Sequence, residues 1–174
     1  MRKGNDMDNQ LLKQLYQKYQ KEIYLYLYSL CKNRDLAEDL TQETFLKAIL
    51  SLPDEHTNVR AWLYMVARNL YFNYTKKEKK QVPLDEFGDE MCDEKASELL
   101  EHLLQDERRR LLYQALQHLG EDKREVLMLQ YFGGLSQKEI AALLRKTPEN
   151  IRILAYRGKK ELRDYMEVNG YDLS

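Results

Sequence analysis

Apolar residues recur along most of this chain at steps of three and four, the period of helices that bury one face. Over residues 10–31 the set is Leu11, Leu12, Leu15, Tyr16, Tyr19, Ile23, Leu27 and Leu30. Tyr24, Tyr26 and Tyr28 alternate within it, but the Leu and Ile spacing around them favours helix, with the tyrosines as half-buried packing groups. Residues 1–9 are polar and read as frayed. A second helix, started by Asn33 or Asp35 and running over 36–51, places Leu36, Leu40, Phe45, Ile49 and Leu52 inward. Pro53 ends it, and a polar loop follows. Asn58 can cap a third helix over 59–77, with Trp62, Leu63, Val66, Leu70 and Tyr74 as its apolar stripe. Pro83 and Gly88 break helix within 81–97. Residues 99–119 then read as one helix with Leu100, Leu103, Leu104, Leu111, Leu112, Ala115 and Leu119 inside. Gly120 stops it. Asp122 opens the next, with Val126, Leu127, Leu129 and Tyr131 or Phe132 inside, and Gly133 and Gly134 close that one.

Residues 135–166 carry the clearest local chemistry. Ser136 and Glu139 stand three apart ahead of an apolar run, the spacing of a capping box. Ile140, Ala141, Leu143 and Leu144 supply the apolar face of a short helix. Arg145 and Lys146 occupy a turn, Thr147 can cap a second helix, and Pro148 suits its first position, where no backbone N–H is needed. Ile151, Ala155, Leu162 and Met166, with small Gly158 among them, fall on one side of that helix; Arg152, Tyr156, Lys159, Lys160 and Arg163 fall on the other. Small Ala141 permits a close crossing, and Ile151 plugs the joint. This is the layout of a helix-turn-helix, whose second helix enters the DNA major groove.

Charge sharpens the division of the chain. Residues 1–80 hold 14 Lys or Arg against 10 Asp or Glu, residues 81–107 hold one against 10, and residues 108–174 hold 13 against 9. Two mildly basic blocks therefore flank an acidic bridge, although the net charge is only −1. Local basic patches suffice for phosphate binding. In the third helix Arg60, Arg68, Asn69, Asn73 and Lys76 interleave with aromatics, as single strands require: bases stack on rings while basic groups hold the backbone. The same pattern also suits a core stripe with a basic C-terminal end. Glu38, Asp39, Gln42 and Glu43 give the second helix a polar, mostly acidic outer face.

Other chemistry is absent from the pattern. The two cysteines, Cys31 and Cys92, have no paired spacing, and His56, His102 and His118 are scattered, so neither a disulfide framework nor a metal site is expected. No nucleophile with a base and no phosphate-cradling glycine loop is evident, so no catalytic residues and no cofactors are expected. With no signal segment and no run of about 20 apolar residues, a cytoplasmic protein is the expectation.

The order of these features resembles the extracytoplasmic-function sigma factors, the smallest class of the sigma-70 family. Residues 33–48 (NRDLAEDLTQETFLKA) look like the family's core-binding helix in region two. Residues 59–70 (VRAWLYMVARNL) look like its promoter-melting helix, and residues 119–141 (LGEDKREVLMLQYFGGLSQKEIA) look like region four. The resemblance implies an all-α chain of two small helical domains: a region-two-like domain over 1–80, a flexible acidic linker over 81–98, and a region-four-like helix-turn-helix domain over 99–174. It implies binding to core RNA polymerase through Asp39, Gln42 and Glu43. It implies that His56, Thr57 and Asn58 capture a flipped minus-ten base, with Arg60, Trp62, Arg68, Asn69 and Lys76 holding nearby strand or phosphates. Glu149, Asn150, Arg152, Ile153, Tyr156 and Arg157 would meet the minus-thirty-five element, and Arg124 and Ser136 its phosphates. The implied partners are core polymerase, promoter DNA and an anti-sigma factor, often membrane-anchored. The chain departs from the family's pattern in three places. Arg145 and Lys146 stand where a turn glycine is common. Ile153 and Leu154 stand where polar or basic groups are frequent, so Ile153 is placed for a thymine methyl. Asn73 stands where Asp is common. The alternative is a free-standing helix-turn-helix regulator in which residues 1–80 sense a signal or dimerise.

Overall fold

The helical spacing is realised as eight α-helices among the described residues, which in this computed structural model are 2–51, 58–79 and 94–170, with side chains described for 10–51, 58–79 and 98–170. The helices are α1 (Arg2–Cys31), α2 (Arg34–Leu50), α3 (Val59–Lys79), α4 (Glu94–Leu103), α5 (Glu107–Leu116), α6 (Glu121–Tyr131), α7 (Gln137–Leu144) and α8 (Pro148–Val168). They divide into two compact units, Met1–Met91 and Cys92–Ser174. Most of the acidic stretch over 81–98 lies outside the described residues.

In unit 1, α1, α2 and α3 pack against one another. Helix α1 starts at Arg2 rather than near Gln10; extending an existing helix adds one hydrogen bond per residue fixed, without a new nucleation cost. Every residue from Ile23 to Ser29 is buried. The alternating tyrosines are thus fully buried, not half-buried, because two helices press on this segment from different sides. Tyr26 meets Tyr64 of α3 edge to face at 5.2 Å, while Tyr24 and Tyr28 stack at 6.0 Å. Asn33 caps α2, its Oδ1 accepting from the Leu36 N–H at 3.1 Å. The buried face of α2 is Ala37, Leu40, Thr41, Thr44, Phe45 and Ala48. Thr41 and Thr44 reach the core because each hydroxyl donates to the carbonyl four residues back, Ala37 and Leu40, at 2.6 Å, so neither enters unsatisfied. Leu36 and Ile49 are only partly covered, and Leu52 lies outside the described residues. On α3 the buried stripe is Leu63, Tyr64, Ala67 and Leu70, rotated from the expected one; Trp62, Val66 and Tyr74 sit at its margins.

In unit 2, α8 packs on α5, α6 and α7, and α4 on α5. The expected single helix over 99–119 is broken at Leu104–Asp106. Asp106 caps α5 by accepting from the Arg108 N–H at 2.9 Å, and Arg110 Nη1 donates to the Leu104 and Gln105 carbonyls at 2.7 and 3.1 Å. Carbonyls released by the break are thereby satisfied. Leu111 and Leu112 are only partly covered, and Tyr113 fills the core instead, edge to face with Phe132 at 5.6 Å. Glycine closes α6 as the spacing suggests: the Gly133 N–H donates to the Met128 carbonyl at 3.1 Å, and Gly134 has φ +65°, where a Cβ would be strained.

Candidate nucleic-acid interface

The helix-turn-helix forms from residue-local hydrogen bonds. Ser136 Oγ accepts from the Glu139 N–H at 3.1 Å, and Glu139 Oε1 accepts from the Ser136 N–H at 3.0 Å, completing the capping box. The turn needs no glycine because Arg145 itself adopts the left-handed conformation, at φ +56° and ψ +43°. The Lys146 N–H then donates to the Ala141 carbonyl at 3.0 Å. Thr147 Oγ1 accepts from the Asn150 N–H at 3.1 Å, and Pro148 opens α8. Lys146 lies 4.0 Å from Asp122, and Lys123 pairs with Glu161, so both ends of the crossing are tied to α6.

The two faces of α8 separate as its sequence implies. Ile151, Ala155, Gly158 and Leu162 are buried. A Cβ built on Gly158 would stand 3.0 Å from Leu127 Cδ1 and 3.4 Å from Lys123 Cβ, so glycine lets α8 and α6 approach this closely. Met166 is half-buried. Outward lie Glu149, Asn150, Arg152, Ile153, Tyr156, Arg157, Lys159, Lys160 and Arg163. Positions 149, 152, 153 and 156 share one strip of the helix surface, with Tyr156 71 % exposed. The Arg152–Glu149 pair at 3.8 Å is solvent-exposed, so it contributes little energy. A helix with such a protruding polar strip fits a groove about 12 Å wide. Of the two residues expected at phosphates, Ser136 is exposed and already a cap, whereas Arg124 is buried.

On α3, Arg68 lies over the Phe72 ring at 4.5 Å. Asn69, Phe72, Asn73, Lys76, Lys77 and Lys79 are exposed beside it, so the outer face of α3 mixes amide, aromatic and basic groups. Asn58 Oδ1 accepts from the Ala61 N–H at 3.3 Å. His56 and Thr57 lie outside the described residues. Arg60 and Trp62 differ from the rest: the Arg60 guanidinium sits over Tyr19 at 5.5 Å and 3.2 Å from Glu22, and the indole N–H of Trp62 is buried.

Asp39, Gln42 and Glu43 are exposed together on α2. The same face continues into Leu46 and Leu50, 55 % and 84 % exposed. Beside them is a groove of about 430 Å³ lined by Leu12, Lys13, Tyr16, Gln42, Phe45 and Leu46. The expected acidic face therefore has an apolar margin that the polar pattern alone did not single out; the four-residue step from Leu46 to Leu50 was its only trace. Among the described residues no group of three or more His, Cys, Asp or Glu could hold a metal, and no helix is long and apolar enough to cross a membrane.

Comparison with known proteins agrees with the two units. Residues 15–81 match the family model described as Sigma-70 region 2, and residues 109–162 match that described as Sigma-70, region 4. The chain is 30 % identical over 156 residues to the ECF RNA polymerase sigma factor SigM of Bacillus subtilis, covering 86 % of this chain and 91 % of SigM. It is 29 % identical over 160 residues to SigX of the same species, covering 88 % and 82 %. In structure it resembles the sigma factor RpoE from Bartonella quintana, solved in complex with the anti-sigma factor NepR, with a TM-score of 0.65 at 23 % identity over 90 % of this chain and 96 % of that one. It also resembles CnrH, solved with the cytosolic domain of CnrY, with a TM-score of 0.62 at 21 % identity over 92 % and 90 %.

Proposed function

The chain belongs to the extracytoplasmic-function branch of the sigma-70 family, and from this premise we propose how its two units divide the work of an alternative RNA polymerase sigma factor. Unit 1 docks on core polymerase and holds the minus-ten strand; unit 2 reads the minus-thirty-five duplex. The observation that carries this reading is the order of the two matches, region 2 over 15–81 and region 4 over 109–162, each within a separate unit.

On α8, Arg152 and Asn150 suit guanine and adenine edges, Ile153 suits a thymine methyl, and Arg157 with the neighbouring lysines suits phosphates. Ser136 still has a hydroxyl proton for a phosphate; Arg124, buried and with its backbone N–H donating to the Gly120 carbonyl at 2.9 Å, would act only by supporting α6. On α3, Arg68, Asn69 and Lys76 suit a single strand, with Phe72 as a stacking surface. His56, Thr57 and Asn58, which precede α3 in sequence, would read a flipped base by its polar edge, with Trp62 holding nearby strand. Asp39, Gln42 and Glu43, with the apolar rim at Leu46 and Leu50, suit a partner that is basic and partly apolar, as expected for the docking surface of core polymerase. Each contact raises the effective concentration of the other across the acidic linker over 81–98, which separates the domains over 1–80 and 99–174.

In this reading the chain is not an enzyme: polymerase does the chemistry, in the cytoplasm. The likeness to an RpoE solved with its anti-sigma factor supports the same kind of control here. The free-standing regulator has no such support, because the block it would use to sense or dimerise is the one similar to region 2. The test separates the two units. Arg152→Ala with Tyr156→Ala is expected to abolish promoter-specific initiation while co-elution with core persists. Asp39→Lys with Glu43→Lys is expected to weaken co-elution. Retained initiation in the first variant would remove α8 from recognition, and unchanged co-elution in the second would remove α2 from docking.

A further inference from the structure

Arg60 stands in the first turn of α3; whereas the guanidinium of Arg68 lies over Phe72 of α3 itself, that of Arg60 is half-buried and lies against α1. Its Nε is 3.2 Å from Glu22 Oε1, within charge-pair range though not aligned as a hydrogen bond, and both atoms are buried. The Tyr19 ring lies on the other side of the guanidinium, its centroid 5.5 Å away. Moving Arg60 out to a phosphate would take the nearest cation from a half-buried carboxylate and leave it Tyr64 and the more distant Lys18. Burial already raises the Glu22 pKa, and Arg60, Tyr64 and Lys18 oppose that rise.

Below this level two more ties join the same helices. Tyr26 packs on Tyr64, and the Tyr71 hydroxyl donates to the Leu30 carbonyl at 3.0 Å. Partners advance together along both helices, so α1 and α3 run parallel. Of the three ties only the uppermost is ionic, and it holds the turn least secured by its own hydrogen bonds. The first turn of a helix has N–H groups without intrahelical partners, and the Asn58 cap is long at 3.3 Å.

Resting on the sigma-factor reading above, the geometry points to Arg60 and Glu22 as a positioning pair: it fixes the first turn of α3 on α1 and so sets how the outer face of α3 meets the promoter strand. Arg60 acts through Glu22, not on DNA. The lower ties keep α3 in place without it, so breaking the pair misaims the helix rather than unfolding the unit.

The test uses the full chain with core polymerase on promoter fragments that the unsubstituted chain selects from a random library. For each variant, transcript yield from the selected minus-ten element is divided by yield from the same fragment with one transversion in that element. This ratio does not depend on how much of the protein is folded. Glu22→Gln and Arg60→Met are each expected to lower it about tenfold. The double variant is expected to lower it no further, since the two residues act as one, and Arg60→Lys is expected to keep most of it. Loss with Arg60→Met but not with Glu22→Gln would make Arg60 a direct DNA contact and overturn the proposal. Ratios that stay constant while yield and melting temperature fall would make the pair merely structural, which also overturns it. If the unsubstituted chain gives no core-dependent transcripts, the sigma-factor reading itself fails, and this inference with it.

Discussion

Filling the crossing of α8 over α6 gives the sharpest energetic test of the fold around the recognition helix. Gly158 is buried, and a new Cβ there would stand 3.0 Å from Leu127 Cδ1 and 3.4 Å from both Leu127 Cγ and Lys123 Cβ. Optimal carbon contacts lie at roughly 3.5–4.0 Å, so the first of these is too short by about half an ångström. Leu127 is fully buried, so it has little room to turn aside. Gly158→Ala brings two opposed effects: about 1 kcal/mol of helix propensity gained, and roughly 1–3 kcal/mol of overpacking. The balance is between neutral and about 2 kcal/mol destabilising. Gly158→Val adds two further methyl groups with no space to receive them and forgoes most of the propensity gain. It is expected to cost unit 2 about 3 kcal/mol, which for a domain of this size lowers Tm by ~10–20 °C. The assay pairs two probes. The chain has one tryptophan, Trp62, which lies in unit 1, so its fluorescence reports that unit while far-UV circular dichroism reports both. The dichroism transition should shift or split in Gly158→Val while the fluorescence transition stays in place. An unmoved or raised dichroism transition would refute the close-crossing argument.

Two further perturbations follow from the backbone and the burial. Arg145→Gly removes a side chain from the left-handed region, where a non-glycine residue costs roughly 1–2 kcal/mol. Part of that gain is offset by the greater freedom of glycine in the unfolded chain, so denaturant titration should show unit 2 stabilised by up to about 1 kcal/mol; a loss of stability would contradict the left-handed assignment. Burial lifts the Cys31 thiol from 9.0 to about 11, and the protonated thiol donates to the Asn33 carbonyl at 3.3 Å. A raised thiol pKa means less thiolate at a given pH, so in a Cys92→Ser background, disulfide-reagent labelling at pH 8 should be about a hundredfold slower in the native than in the unfolded chain. Equal rates would show that its partly buried setting does not hold the Cys31 thiol protonated.

What could be read from the chain alone follows how far apart the interacting residues stand. The helix-turn-helix was legible because its determinants are local: Ser136 with Glu139, Thr147 with Asn150, and the Ile151, Ala155, Gly158 and Leu162 stripe all act within a turn or two. The break before α5 had one local sign, the Asp106 cap, but Leu104 and Gln105 carry no breaker, and their carbonyls depend on the Arg110 guanidinium reaching back. Thr41 and Thr44 escaped a hydrophobicity reading because a threonine that bonds its own helix enters a core without penalty. The all-round burial of Ile23 to Ser29 and the rotation of the α3 stripe toward Tyr64 and Ala67 depend on how three helices meet. The same holds for Arg60. Its spacing with Arg68 and Lys76 put it among strand-holding residues, and only its packing against Glu22, in another helix, turns it inward.

The central claim is that this chain confers promoter-specific initiation on core RNA polymerase. The most direct measurement is run-off transcription from a promoter-fragment library, with bacterial core alone and with core plus the purified chain, mapping transcript starts. Discrete starts that appear only with the chain, upstream of which two short elements align at constant spacing, are the expected result. The same transcripts from core alone, with the chain eluting apart from core, would contradict the claim.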